Sequence, residues 1–145
     1  MLKTEKRTNY DRKVYLGFFV FFVSICIAIV TFFHSVPFVR GFMGDMIVVM
    51  LMYSFCKSVF DFPPLSLAFA VLTVSFSVEI AQYLRSIGIV RWNETEISRL
   101  TVGAVFDPWD LIAYLFGVTA IYSLDRSILK RIQTKNDPSY SPKSK

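Results

Sequence analysis

The sequence predicts an all-α integral membrane four-helix bundle in which neighbouring spans run antiparallel. Of the 145 residues, 54% are apolar, and the mean hydropathy of +0.48 exceeds that of an ordinary soluble domain. The apolar residues form long unbroken runs rather than stripes at helical or strand spacing, and such runs face lipid. The basic residues behind the net charge of +5 gather at the two chain ends instead of along one soluble face, so we expect no nucleic-acid partner.

The first two spans are predicted from the length of runs that hold few or no charged residues. Residues 14–33 hold no charged side chain, and about twenty residues at about 1.5 Å each cross about 30 Å of hydrocarbon. A cleaved signal peptide is the alternative for this run, but the run is long for one and no small-residue cleavage site follows it. Residues 42–60 form the second span, in which we expect the stem of Lys57 to carry its ammonium to the interface.

A proline pair separates the second span from the third. Pro63 and Pro64 break the helix because proline lacks a backbone N–H and restricts the residue before it. So short a break makes the two spans an antiparallel hairpin, and residues 65–84 form the third span.

The fourth span, residues 109–124, is the shortest. Asp107 is expected to cap its N-terminus, and Pro108 to be its first helical residue. Local thinning of the bilayer can compensate for the short span, with Asp125 and Arg126 reaching for the headgroups.

The spans define the domain organisation and the orientation. We expect a basic cytoplasmic N-terminal tail (residues 1–13), a four-span membrane domain (14–126) and a basic, partly disordered C-terminal tail (127–145). Basic residues are numerous before the first span and after the fourth, whereas the first loop holds only Arg40, so we expect both termini in the cytoplasm. The third loop, residues 85–106, holds three arginines, and an outside loop with this many basic residues is unfavourable for this orientation.

This topology brings several polar side chains to the outer face. Glu79 and Gln82 are three residues apart on one helix and share a side, as do Asp107 and Asp110 on another. Glu79 lies deep enough that an unpaired carboxylate would be costly, so it needs a partner or a proton. The residues expected to form a polar, ligand-binding pocket at this face are Asp45, Glu79, Gln82, Arg91, Arg99, Asp107 and Asp110.

Several functions are compatible with such a pocket. The first is binding of an envelope lipid or a lipid-linked cell-wall precursor, in which Arg91 and Arg99 engage the headgroup. The second is a membrane enzyme that uses Glu79 or Asp110 as acid or base on an envelope substrate, with a divalent cation held by the clustered carboxylates as one variant. The third is a purely structural polar cluster in a subunit of a larger complex, with Glu79 paired to an arginine. A channel is less compatible, because the rest of the spans lacks a polar path.

Other chemistries find little support. His34 is the single histidine, so no metal site built on a histidine cluster, such as one for zinc or haem, is expected. Cys26 and Cys56 lie at different depths, so no disulfide framework is expected. No nucleophile elbow, phosphate loop or dinucleotide fingerprint occurs, and no cofactor is predicted. We expect membrane lipids as partners, and four short spans are compatible with a homo-oligomer or a membrane partner protein.

One combination of motifs resembles a known family. Glu-x-x-Gln (Glu79, Gln82) ends an apolar helix, an arginine and a glycine follow, and Asp-x-x-Asp (Asp107, Asp110) enters the next helix. With the neighbouring residues Gly44, Asp45, Arg99, Gly103, Phe106, Ala113, Tyr114 and Gly117, this pattern resembles the bacterial membrane family called domain of unknown function 2809, over roughly residues 40–125.

The order and spacing of these motifs also resemble the VanZ-like family. That resemblance implies a small bacterial inner-membrane protein, and one branch of the family is associated with glycopeptide resistance. The sequence departs from that branch at Ala113 and Tyr114, where VanZ-like proteins tend to have asparagine, so resistance is not carried over. The closer family implies an architecture and no activity.

Overall fold

Four helices form the part of the chain that the structure describes. This computed structural model describes residues 9–33, 35–36, 38–89 and 107–136. Its helices are α1 (Asn9–Phe32), α2 (Gly44–Val59), α3 (Pro64–Ser86) and α4 (Pro108–Asn136), and a π-helical turn, Val39–Met43, leads directly into α2. Each overlaps one predicted span.

The helices have the length and composition of membrane spans. Their apolar stretches are Arg12–Phe32, Val39–Val59, Pro64–Ser86 and Pro108–Ile128, each of 21 or 23 residues. At about 1.5 Å per residue, each stretch can cross about 30 Å of hydrocarbon. The predicted fold class, an all-α membrane bundle of four helices, is confirmed, and the described residues contain no strand.

Helix α2 is the centre of the bundle. It packs against α1, α3 and α4, while α3 also packs against α4. Helices adjacent in sequence run antiparallel. Tyr114 near the start of α4 contacts Glu79 in the last turns of α3, and Tyr15 near the start of α1 pairs with Asp125 and Lys57 near the ends of α4 and α2. The same pairing makes α2 and α4 parallel neighbours, because the end of one meets the same end of the other.

Gly117 allows the close approach of α2 and α4. A Cβ atom on Gly117 would lie 2.5 Å from the Met46 carbonyl oxygen and 2.5 Å from Val49 Cγ2. Both distances are far shorter than a van der Waals contact between carbon and its neighbours. A residue without a side chain is therefore required where these two helices cross.

The predicted helix starts are formed by local chemistry. The Asp107 carboxylate accepts a hydrogen bond from the Trp109 backbone N–H at 3.0 Å, which satisfies one of the N–H groups that an α-helix leaves unpaired at its start. Pro63 has an extended conformation (φ −61°, ψ 144°), and α3 begins at Pro64, as the proline pair predicts.

The end of α3 requires a glycine. Gly88 has φ 78°, a left-handed conformation that residues with a Cβ rarely adopt. Its N–H donates to the Arg85 carbonyl, and the Ile89 N–H donates to the Leu84 carbonyl, both at 3.0 Å. This pair of hydrogen bonds is the Schellman motif, which ends a helix and turns the chain away from its axis.

An apolar core lies between the two ends of the bundle. Every helix contributes to it, and its buried members are Phe22, Val49, Met50, Tyr53, Leu67, Ala68, Val71, Tyr114, Val118 and Ile121. Polar buried side chains lie on either side of this core, toward the helix ends. The bundle therefore carries two separate polar clusters, one at each end.

Candidate functional site

Glu79 and Gln82 lie on the buried face of α3. Their exposed fractions are 2% and 7%. Leu67, Val71 and Ser75 are buried on the same face. Their four-residue spacing places them along one side of the helix, which packs against α2 and α4. Glu79 lies about 10 Å before the last residue of α3, so its carboxylate is inside the bundle rather than at its surface.

Tyr114 of α4 is the described partner of Glu79. Its hydroxyl donates to Glu79 Oε1 at 2.7 Å, across the α3–α4 contact. The second carboxylate oxygen, Oε2, and the side-chain oxygen of Gln82, Oε1, are buried and accept no hydrogen bond from any described residue. A buried acceptor without a donor costs roughly 1–3 kcal/mol, and more if it is charged. These two oxygens therefore mark a place where a donor is missing.

Two further carboxylates lie at the starts of α2 and α4. Asp45 and Asp110 are half-buried, and their side chains lie within hydrogen-bonding reach of each other. Glu79 and Asp107 lie near enough for their charges to act on Asp45, and Asp107 is exposed at the N-cap of α4. We call the residues gathered at this end of the bundle the carboxylate cluster: Asp45, Glu79, Gln82, Asp107, Asp110 and Tyr114.

The structure thus brings together five of the seven residues that the sequence predicts for the pocket, although their role stays a prediction. Arg91 and Arg99 lie outside the described residues, as do His34 and most of the third loop. Within the described part of the chain, no group of three or more histidine, cysteine, aspartate or glutamate side chains is placed to hold a metal ion.

The opposite end of the bundle holds a second polar group that the sequence analysis does not predict. Lys57 Nζ lies 3.2 Å from Asp125 Oδ2 and donates to the Phe62 carbonyl oxygen at 2.9 Å. The hydroxyls of Tyr15 and Tyr53 donate to the two carboxylate oxygens of Asp125. We call these four side chains, Tyr15, Tyr53, Lys57 and Asp125, the Asp125 cluster.

The expectation that Lys57 and Asp125 extend to the membrane interface is wrong. Lys57 is 4% exposed and Asp125 is 0% exposed, because each finds its partners inside the bundle. A charged side chain in a membrane span either reaches the headgroups or pairs within the protein, and here three helices supply the pairing.

Part of this second cluster has a signal in the sequence. Tyr53 and Lys57 are one helical turn apart, so their side chains lie on the same face of α2. A lysine and an aspartate near the same predicted membrane face are natural partners. Tyr15 has no comparable signal, since a lone tyrosine at the start of an apolar run is also typical of the membrane interface.

Comparison with known proteins identifies one family. A family model described as "Protein of unknown function (DUF2809)" matches residues 34–118, more than half of the chain. The matched segment contains the whole carboxylate cluster and omits Tyr15 and Asp125. Neither a curated protein nor a solved structure matches the chain.

Proposed function

Because the chain belongs to the DUF2809 family, whose function is unknown, we propose its activity from the geometry: the protein binds the polar headgroup of a membrane lipid or of a lipid-linked envelope precursor at the carboxylate cluster. The observation that carries this proposal is the pair of buried, unpaired oxygens, Glu79 Oε2 and Gln82 Oε1. Among the described residues nothing satisfies them, so a ligand is the natural source of the missing donors.

The position of the cluster in the bundle suits a headgroup. Trp109 begins α4 beside it and is 64% exposed, and tryptophan side chains concentrate where the hydrocarbon meets the headgroups. Asp107 is exposed and Asp110 is half-buried, so polar side chains continue from the surface toward Glu79. A lipid moving in the plane of the membrane can therefore present its headgroup to this end of the bundle.

The distribution of basic residues supports an outward position for this site. The two tails are rich in lysine and arginine, and in sequence both are joined to the bundle end that holds the Asp125 cluster. In a bacterial cytoplasmic membrane with both termini inside, the carboxylate cluster would face the envelope. Envelope lipids and cell-wall precursors are then the ligands within reach.

The experiment that tests this function compares the lipids retained by purified variants. The full-length protein is extracted in native nanodiscs, and the bound lipids are quantified by mass spectrometry. Glu79→Gln removes the charge but keeps an acceptor for Tyr114, so it should fold and should lose a specific lipid by roughly tenfold. Asp61→Asn makes the same chemical change at the exposed α2–α3 connection, at the other end of the bundle, and should retain that lipid.

The alternative is a structural cluster that binds nothing. In that case Glu79→Gln and Asp61→Asn retain the same lipids, and only the thermal stability of Glu79→Gln changes. That result would overturn the proposed function.

A further inference from the structure

The polar atoms of the carboxylate cluster are strongly biased toward hydrogen-bond acceptors. Asp45, Glu79, Asp107 and Asp110 offer only acceptor oxygens when ionised. Among the described residues, the Tyr114 hydroxyl is engaged with Glu79 Oε1 and the Trp109 backbone N–H with Asp107, while Glu79 Oε2 and Gln82 Oε1 receive no hydrogen bond. A ligand that fits this cluster therefore donates hydrogen bonds rather than accepts them.

The contact between Asp45 and Asp110 points the same way. Two ionised carboxylates cannot hydrogen-bond each other, because neither carries a hydrogen. A proton shared between them accommodates their close approach, and a nearby cation does so as well. The charges of Glu79 and Asp107 act on the same pair and add to the demand for positive charge.

We propose that the group bound by the carboxylate cluster is a primary ammonium, as in an aminoethyl headgroup, with Glu79 Oε2 and Gln82 Oε1 as two of its acceptors. This inference rests on the proposed function and names the ligand's chemical class. A primary ammonium supplies three N–H donors and a positive charge in one compact group. The two oxygens that lack a described donor are then both satisfied.

Competing ligand groups fit this cluster less well. A phosphate or a carboxylate placed directly at Glu79 Oε2 would bring further acceptors to an atom that lacks a donor, and the neighbouring carboxylates would repel its charge. A metal ion needs several ligands around one point, and the described residues offer no group of three or more acidic, histidine or cysteine side chains placed that way. A quaternary ammonium carries the charge but has no N–H to give to Glu79 Oε2 or Gln82 Oε1.

Burial within the cluster also suits a small headgroup at the end of a lipid. Asp107 is exposed, Asp45 and Asp110 are half-buried, and Glu79 is 2% exposed. A cation that enters from the membrane surface meets carboxylates of increasing burial. Water competes least at the deepest carboxylate, so an ammonium bound there must recover its desolvation cost from the paired charge and its hydrogen bonds.

The test uses three phospholipids that separate charge from hydrogen-bond donors. The full-length protein is reconstituted in nanodiscs of equal parts phosphatidylethanolamine, phosphatidylcholine and phosphatidylglycerol, and the lipids that stay bound after mild detergent exchange are quantified. Phosphatidylethanolamine has an ammonium with three N–H groups, phosphatidylcholine has the positive charge without N–H groups, and phosphatidylglycerol has hydroxyl donors without the positive charge. We expect phosphatidylethanolamine to be enriched roughly tenfold over both others.

Three variants connect the enrichment to the cluster. Glu79→Gln and Gln82→Leu each remove one of the two unpaired acceptors and should abolish the enrichment. Asp61→Asn, at the other end of the bundle, should preserve it. If Glu79→Gln does not fold, Gln82→Leu, which removes a neutral group, still provides the measurement.

A soluble amine could supply the same ammonium as a lipid does. In nanodiscs of phosphatidylglycerol alone, ethanolamine at millimolar concentration is added, and the thermal midpoint of the wild-type protein is compared with that of Glu79→Gln. A rise confined to the wild type supports a soluble amine as the ligand. Enrichment of phosphatidylethanolamine without that rise supports a lipid headgroup.

Other outcomes overturn the inference in distinguishable ways. Equal retention of phosphatidylcholine and phosphatidylethanolamine would show that the site does not use N–H donors. Retention of phosphatidylglycerol that depends on Glu79 would overturn the ammonium while leaving headgroup binding intact. If no lipid and no amine depends on Glu79, the ammonium and the proposed function both fail.

Discussion

Lys57 and Asp125 form a buried ion pair, with 3.2 Å between the ammonium nitrogen and one carboxylate oxygen. The pair joins α2 to α4 at the end of the bundle opposite to the carboxylate cluster. Hydroxyls from Tyr15 and Tyr53 and the carbonyl of Phe62 satisfy further hydrogen-bonding positions. Two charges can remain buried in this way because each has a counter-charge and additional hydrogen bonds.

Removal of the lysine charge should destabilise the protein strongly. Lys57→Met leaves Asp125 charged and buried without its counter-ion, and a broken buried pair costs roughly 3–5 kcal/mol. The double variant Lys57→Met with Asp125→Leu should recover part of this loss, because an apolar pair carries no desolvation penalty. Denaturant unfolding in detergent micelles measures both free energies.

The ion pair between Arg12 and Asp61 provides the control for this prediction. Its atoms are 3.6 Å apart, and both side chains are about half-exposed. Arg12→Met should therefore change the free energy of unfolding by only about 0–1 kcal/mol. If Arg12→Met and Lys57→Met lower the free energy of unfolding equally, burial is not what makes the Lys57–Asp125 pair important for stability.

The Tyr15 hydroxyl should hold α1 to the rest of the bundle. Tyr15→Phe removes its hydrogen bond to buried Asp125 and should destabilise the protein by roughly 1–3 kcal/mol. Tyr122→Phe is the matched control. It also removes a tyrosine hydroxyl, and it keeps the ring against which Arg126 lies. Limited proteolysis near the start of α1 should accelerate in Tyr15→Phe alone, and unchanged cleavage would show that α1 is held by its packing on α2.

The four spans could be predicted because their determinants are local. An uncharged run of sufficient length, a proline pair and an aspartate before a proline each act within a few residues, and the structure contains helices at all four places. The gathering of Asp45, Glu79 and Asp110 also follows from sequence, since alternating spans bring their helix ends to one membrane face.

The Asp125 cluster could not be predicted in the same way. Tyr15 and Asp125 are 110 residues apart, and their contact depends on which helices pack side by side. Topology fixes the direction of each helix but not its neighbours, so the parallel contact of α2 with α4 has no local signal. Tyr114 belongs to the family pattern, but nothing in the sequence marks it as the partner of Glu79, because a tyrosine within a span also suits simple packing.

The contact between α2 and α4 should be sensitive to a single methyl group at Gly117. Gly117→Ala places a Cβ 2.5 Å from the Met46 carbonyl oxygen, so the helices must separate, and overpacking of this kind costs roughly 1–3 kcal/mol. Gly17→Ala is the control, because its Cβ would meet nothing within 4 Å and alanine favours a helix. Thermal midpoints that fall equally in both variants would contradict a specific role for Gly117.

The orientation of the bundle should appear in cysteine labelling of intact cells. Cys26 and Cys56 are first replaced, and single cysteines are then introduced at Thr95 and Ser139. If the basic tails stay in the cytoplasm, an impermeant reagent labels position 95 in intact cells and position 139 only after permeabilisation. The opposite pattern would place the carboxylate cluster at the cytoplasmic face. The ligands that can reach Glu79 would then be headgroups of the inner leaflet and cytoplasmic amines instead of envelope lipids, because the carboxylate cluster is accessible only from its own side of the membrane.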